Sequence, residues 1–148
     1  MKQFLLFVAA ISISAFGFSQ QKKAVDVIKF QELTYNFGKI KQSVTVTHNF
    51  AFTNISDAPI IIESAIASCG CTTPVKPQGA VAKGQTDKIT AGFSAPSVGA
   101  FNKTITIKVA GTDLPVQLTI TGEVLSADDY AKYQAGKDKT SQPTKSGS

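Results

Sequence analysis

The chain has 148 residues, one domain's worth, and 43% of them are apolar, enough for a single core without staples. Its net charge of +5 comes from 15 basic residues, every one a lysine, against 10 acidic ones. Nucleic-acid readers lean on arginine for bidentate contacts with phosphate and guanine, so an arginine-free excess this small argues against that class and reads as a solvated lysine surface.

The chain opens with Met1-Lys2-Gln3, then runs uncharged and apolar from Phe4 to Phe18. That run is too short for a spanning helix, which needs roughly 20 residues. Gly17 and Ser19 place small residues at the −3 and −1 positions for cleavage before Gln20. Residues 1–19 are therefore expected to be a signal peptide, the competing reading being an uncleaved N-terminal anchor. No cysteine lies near the cleavage point, which argues against a lipoprotein. The expected destination is the periplasm or the medium, with no transmembrane segment left after cleavage.

Gln20 to Ala24 reads as a polar lead-in and residues 25–32 as an edge strand with imperfect alternation. Tyr35 to Ile40 follows, with Gly38 expected at a kink or bulge. From Ser43 to Asn54 the pattern has period 2, with Val44, Val46, His48, Phe50 and Phe52 on the apolar side. Asn54 to Pro59 is a turn, and Ile60 to Ile66 is an apolar run expected to be a strand buried on much of its surface. Residues 74–85 hold Pro74, Pro77, Gly79 and Gly84 and are expected to be loop, with an extended piece around Val81. Thr86 to Ser94 alternates again, with Ile89, Ala91 and Phe93 inward, and Ala95 to Gly99 is a turn.

Phe101, Ile105, Ile107 and Val109 then share one face, and after a turn at Gly111-Thr112-Asp113 so do Leu114, Val116, Leu118, Ile120 and Val124. About seven strands with turns every 8–14 residues or so predict an all-β fold, an antiparallel immunoglobulin-like β-sandwich over residues 20–125. Alternation on nearly every strand argues against a parallel sheet. Residues 126–148 are expected to form a short helix capped by Ser126, then a disordered polar tail from Gly136.

Chemistry has to pass through Ser68-Cys69-Gly70-Cys71-Thr72, which holds both cysteines. It is not the Cys-x-x-Cys of thioredoxin-like helices. Residues two apart in a straight strand lie about 6.6 Å apart, near the upper limit for a disulfide, and a turn at Gly70 with φ > 0 would close the gap. Three states are open: a small disulfide, two free thiols, or two thiolates on a metal. Export favours oxidation, and a small ring suits a labile redox element, while the plain alternatives are a local staple or two buried small hydrophobes.

His48 is the one histidine and sits on the apolar side of its strand, where a packed core residue is the ordinary outcome. Placed beside Cys69 and Cys71 it would complete a ligand set for copper or zinc. No Gly-x-Ser-x-Gly, phosphate loop or His-Glu-x-x-His is present, so no catalytic residue is assigned.

Tyr35-Asn36-Phe37-Gly38-Lys39-Ile40, the Thr47 to Asn54 strand, Ala58-Pro59-Ile60-Ile61-Ile62, Ser68-Cys69-Gly70-Cys71-Thr72 and Leu118-Thr119-Ile120-Thr121-Gly122 together resemble an exported bacterial family. It is the domain of unknown function numbered fifteen seventy-three, common in Bacteroidetes, and the likeness runs from about Tyr35 to Leu125. The resemblance implies an immunoglobulin-like sandwich related to Hydin-type modules and marks Ser68, Gly70 and Thr72, with the two cysteines, as the family's signature loop. The functional expectation is a non-enzymatic module that binds a protein or an envelope component and needs no cofactor. The alternative is a thiol-active protein, a disulfide exchange factor or a copper or zinc binder, acting through Cys69 and Cys71.

Overall fold

A computed structural model describes residues 21–140, where eight strands form two facing four-stranded sheets. The strands are β1 (Ile28–Phe30), β2 (Thr34–Lys41), β3 (Val46–Asn54), β4 (Ile62–Ala67), β5 (Thr72–Val75), β6 (Thr86–Phe93), β7 (Gly99–Val109) and β8 (Val116–Leu125), followed by helix α1 (Ala127–Thr140). One sheet has the order β1-β3-β6-β5 and the other β2-β8-β7-β4. The sandwich is as expected, with one strand more. The expected signal peptide, residues 1–19, lies outside the described residues, as do residues 141–148.

The alternating rows supply the core. Phe50 and Phe52 from β3, Ile89 and Phe93 from β6, Ile105 and Ile107 from β7, and Leu118 and Ile120 from β8 are all buried between the sheets. Burying one such side chain contributes roughly 1.5–3 kcal/mol, and this inner double layer fixes which way every strand faces.

One pairing departs from the antiparallel expectation. β1 pairs antiparallel with β3, then residues 31–33 carry the chain across to the other sheet, where β2 runs parallel to β8. Alternation records that one face of a strand is buried and says nothing about its neighbour's direction. The first strand is also shorter than residues 25–32, because Ala24–Asp26 forms a 3-10 turn. The polar lead-in is tied down as well. Lys22 C=O accepts the Asp113 N–H at 2.7 Å, and Ala24 is fully buried.

Other differences have local causes. Val44 is 47% exposed because β3 starts only at Val46. A register shift between Ile62 and Ser64 turns Ala65 and Ala67 to the core, so the Ile60–Ile66 run is buried on one face only and Ile66 is 64% exposed. Leu114 is likewise exposed, lying before β8 begins. Thr72–Val75, which runs into the expected loop at Pro74, pairs with β6 as an edge strand, a place where Pro74 is tolerated. The extended piece at Val81 is present as a bridge to Ile60.

Helix α1 begins at the expected cap. The Asp129 N–H donates to Ser126 Oγ at 3.1 Å, and that hydroxyl donates to the Asp129 carboxylate at 2.7 Å. The helix continues to Thr140, past the Gly136 where disorder was expected. It lies along β2, with the Lys39 ammonium 5.2 Å from the centre of the Tyr133 ring. No helix among the described residues is long and apolar enough to cross a membrane.

Gly38 takes φ 67° at the register shift in β2, the bulge the sequence predicts. Its carbonyl and the Phe101 ring close over Gly122, where an added Cβ would lie 2.8 Å from both. Gly122→Ala is therefore expected to lower the unfolding free energy by about 2 kcal/mol in urea denaturation, the overpacking cost. A second test concerns the cap. The Ser126 hydroxyl and then Lys132 hold the Asp129 carboxyl below its ordinary range. A depressed carboxyl stabilises above its unfolded pKa and loses that contribution as pH falls through the folded one. Helical circular dichroism should hold from neutral pH to about pH 5 and decline below about pH 4.

Candidate functional site

The cysteine segment is the corner at which the chain leaves β4 in one sheet and enters β5 in the other. Cys69 C=O accepts the Thr72 N–H at 3.2 Å, closing a four-residue turn over Gly70 and Cys71. The turn shortens the Cα separation of Cys69 and Cys71 to 5.3 Å, and the two sulfurs form a disulfide. Of the three states left open by the residues, this is the one the structure adopts.

Gly70 does not take the left-handed conformation expected of it, and a Cβ there would meet nothing within 4 Å. Nothing in the structure explains a glycine at this position. Thr72 is buried, with its hydroxyl 3.6 Å from Cys69 Sγ. Ser68 accepts the Thr104 N–H on its hydroxyl at 3.1 Å and donates its own N–H to Thr104 C=O at 2.9 Å. The signature residues thus pin the corner to β7.

On the other side the corner is pinned to the loop after β6. Cys71 C=O accepts the Ser94 N–H at 3.0 Å and the Ser94 hydroxyl at 3.3 Å. The next residue, Ala95, is fully buried, and its carbonyl accepts the Ser43 N–H at 2.9 Å from the β2–β3 turn. Ser43 (φ 61°) and Ala95 (φ 48°) are the two non-glycine residues with positive φ among those described. Each costs on the order of 1 kcal/mol, and such strain persists where surrounding structure over-determines it. Both lie at the cysteine end of the sandwich, joined by one hydrogen bond.

A cavity of about 160 Å³ opens beside this network, walled by Cys71, Phe93, Val98, Phe101 and Lys103. Phe93 and Phe101 stack with ring centres 4.2 Å apart to form its floor. Small-molecule sites begin near ~300 Å³, so this volume suits a single side chain of a macromolecular partner better than a metabolite. Sequence reasoning missed Ser43, Ser94 and Ala95, since Ala95 to Gly99 carries only a turn signal and nothing marks an alanine for positive φ.

His48 is not brought to the cysteines. It pairs with Ala91, which pairs with Pro74, so two strand spacings of about 4.8 Å each separate it from β5. Its Nε2 lies 2.7 Å from the Glu32 carboxylate, and its ring stacks on Tyr35 at 3.5 Å. In the disulfide form neither sulfur offers a thiolate. Among the described residues no three His, Cys, Asp or Glu side chains gather as a metal site.

A family model described as a protein of unknown function, DUF1573, matches residues 28–124. The chain belongs to the DUF1573 family. No curated protein matches this DUF1573 chain. Among solved structures it is similar to a protein of unknown function from Porphyromonas gingivalis W83, with a TM-score of 0.56 and 11% identity, over 66% of this chain and 46% of that one. It is also similar to the ASH / PapD-like domain 7 of human CEP192, with a TM-score of 0.58 and 9% identity, over 68% of this chain and 86% of that domain. A third likeness is to the secreted serine protease VesC of Vibrio cholerae, with a TM-score of 0.54 and 14% identity, over 74% of this chain and 26% of the protease. The DUF1573 chain thus spans under half of the P. gingivalis protein, and at these identities the likeness is one of fold.

Two substitutions test the corner. Gly70→Ala should change stability by no more than about 0.5 kcal/mol, because neither φ nor space resists it. Replacing Cys69 and Cys71 together by serine opens a ring of only three residues, so the domain should still fold and lose about 1.5–2 kcal/mol in denaturant titration.

Proposed function

We propose that this DUF1573 chain is an exported, non-enzymatic module that binds another protein or a component of the cell envelope. The apolar leader from Phe4 to Phe18 supports export, to the periplasm or the medium. The observation that carries the binding reading is the cysteine end: a corner bonded to both sheets, two strained residues and a cavity of side-chain size meet there. Strain and a fixed loop geometry are what a recognition surface requires, since rigidity lowers the entropy cost of binding. The PapD-like likeness supports the same reading at the level of fold.

Val98 stands 55% exposed at the cavity and is the residue to alter. Tagged chain cross-linked in its native envelope should recover one dominant component. Val98→Asp should reduce that recovery about tenfold at unchanged thermal unfolding, the effect expected of a central apolar contact. Recovery of no component by the unaltered chain removes the reading. Equal recovery by both chains moves the contact away from the cavity.

A second reading, disulfide exchange, is favoured by one observation. The bridge sits in a turn with both cysteines only half-buried, the partial exposure that attack by a partner thiolate requires. A second partner thiolate would then resolve the mixed disulfide, leaving Cys69 and Cys71 as thiols and the partner oxidised. In that reduced form the pair would offer two soft ligands to copper or zinc. Alkylation and intact mass across a glutathione redox series test it. A bridge that opens within the physiological range supports exchange, and one that stays closed ends it.

A further inference from the structure

We propose that the unpaired edge of β3, from Val46 to Asn49, is where an extended segment of a partner protein joins the sheet as an added strand. The proposal rests on the binding-module reading and adds to the cavity a second contact surface with its own partner chemistry. Even-numbered residues of β3 direct their backbone groups to β6, as the Asn54 N–H to Gln85 C=O bond at 3.0 Å marks. Odd-numbered ones face the β1 side, where Ala51 C=O accepts the Gln31 N–H and Ile55 N–H donates to Val27 C=O, each at 3.0 Å. β1 pairs only Phe52 to Asn54 before the chain crosses to the other sheet. The N–H and C=O of Thr47 and Asn49 therefore face outward with no strand beside them, and both residues are exposed. Such groups accept a second backbone in register.

The other outer strands are guarded in the ways edges ordinarily are. β1 has three residues and carries Lys29. β2 has the bulge around Gly38, carries Lys39 and Lys41, and lies under α1. β4 has a register shift and carries Glu63, and β5 has four residues including Pro74. Thr45-Val46-Thr47-His48-Asn49-Phe50 contains no lysine, acid, proline or glycine. Bulges, charges, prolines and short lengths are the devices that stop a strand edge from pairing, and this one stretch lacks them all.

The seam beside it selects what enters. β2 is the edge of its sheet on this flank, and Tyr35, Phe37 and His48 are only half-buried where the two edges meet. Tyr35 lies flat on His48 and Phe37 stands edge-on to it at 6.4 Å. An added strand would lay every second side chain toward these rings, beside the Glu32 carboxylate held 2.7 Å from His48 Nε2, so the partner segment is extended with apolar residues at alternate positions. A second copy is disfavoured, since the chain carries a net charge of +5 with Lys29 and Lys41 near the two ends of the edge.

Random linear peptides displayed on phage and selected against the full chain provide the probe, read out by amide hydrogen exchange with a selected peptide bound. Thr47→Pro removes an outward N–H without touching the bonds to β6, and Thr47→Lys keeps every backbone bond while adding the missing guard. Selected peptides should alternate apolar and polar residues and protect the Thr47 and Asn49 amides. Their affinity should fall about tenfold or more in each variant that unfolds at the wild-type temperature. If Thr47→Pro fails to fold, Thr47→Lys alone decides. Protection at other amides, unchanged affinity, no selected peptide, or a dimer that already protects these amides overturns the proposal. Peptides bound elsewhere would leave the binding-module reading standing, and only failure of the unaltered chain to recover any envelope component removes that.

Discussion

The fold depends on one constraint, that each central strand keeps every second residue buried against the facing sheet. Phe50 and Phe52 on β3 and Leu118 and Ile120 on β8 are fully buried, and a slip of one residue in either strand would turn that set to water. Everything irregular in the molecule is arranged so that this parity survives. The register shifts in β2 and β4 occur at edge strands, and the long central strands β7 and β8 pair without interruption from Gly99↔Val124 to Ile107↔Val116. Even the crossing of residues 31–33 fits the rule, since Phe30 faces the core on one side of it and Ile40 on the other.

The corner at Ser68–Thr72 solves a related problem. A chain that moves from one sheet to the other must expose some backbone during the passage, and here Thr104, Ser94 and the turn itself satisfy it. The disulfide closes so small a ring that it fixes direction more than stability. That division leaves the core to hold the fold and the corner to set the shape of this end.

The sandwich was legible because half-buried strands write their burial every second residue, and Phe50, Ile89, Ile107 and Leu118 all lie where alternation places them. Gly38 was legible as a bulge and Ser126 as a cap, each from its own local chemistry. The direction of β2 was not, because alternation is blind to direction. β5 was hidden by Pro74, which reads as a breaker until its position on an edge is known. Of the site, the cysteine corner stood out by composition alone. Ser43 and Ala95 did not, because their strain comes from contacts between segments far apart in the chain, and His48 is kept from the sulfurs by β6, which lies between β3 and β5, a strand order that no spacing rule gives.

The placement of α1 has a consequence for solubility. Nothing in the core requires the residues after Leu125, yet Tyr133 holds the helix against Lys39, beside a strand whose outer ladder would otherwise meet solvent. The C-terminal segment thus covers an edge that backbone pairing could otherwise extend. Among the described residues no core residue lies beyond Val124, so the consequence of removing the helix is expected in association at high concentration rather than in a melting curve.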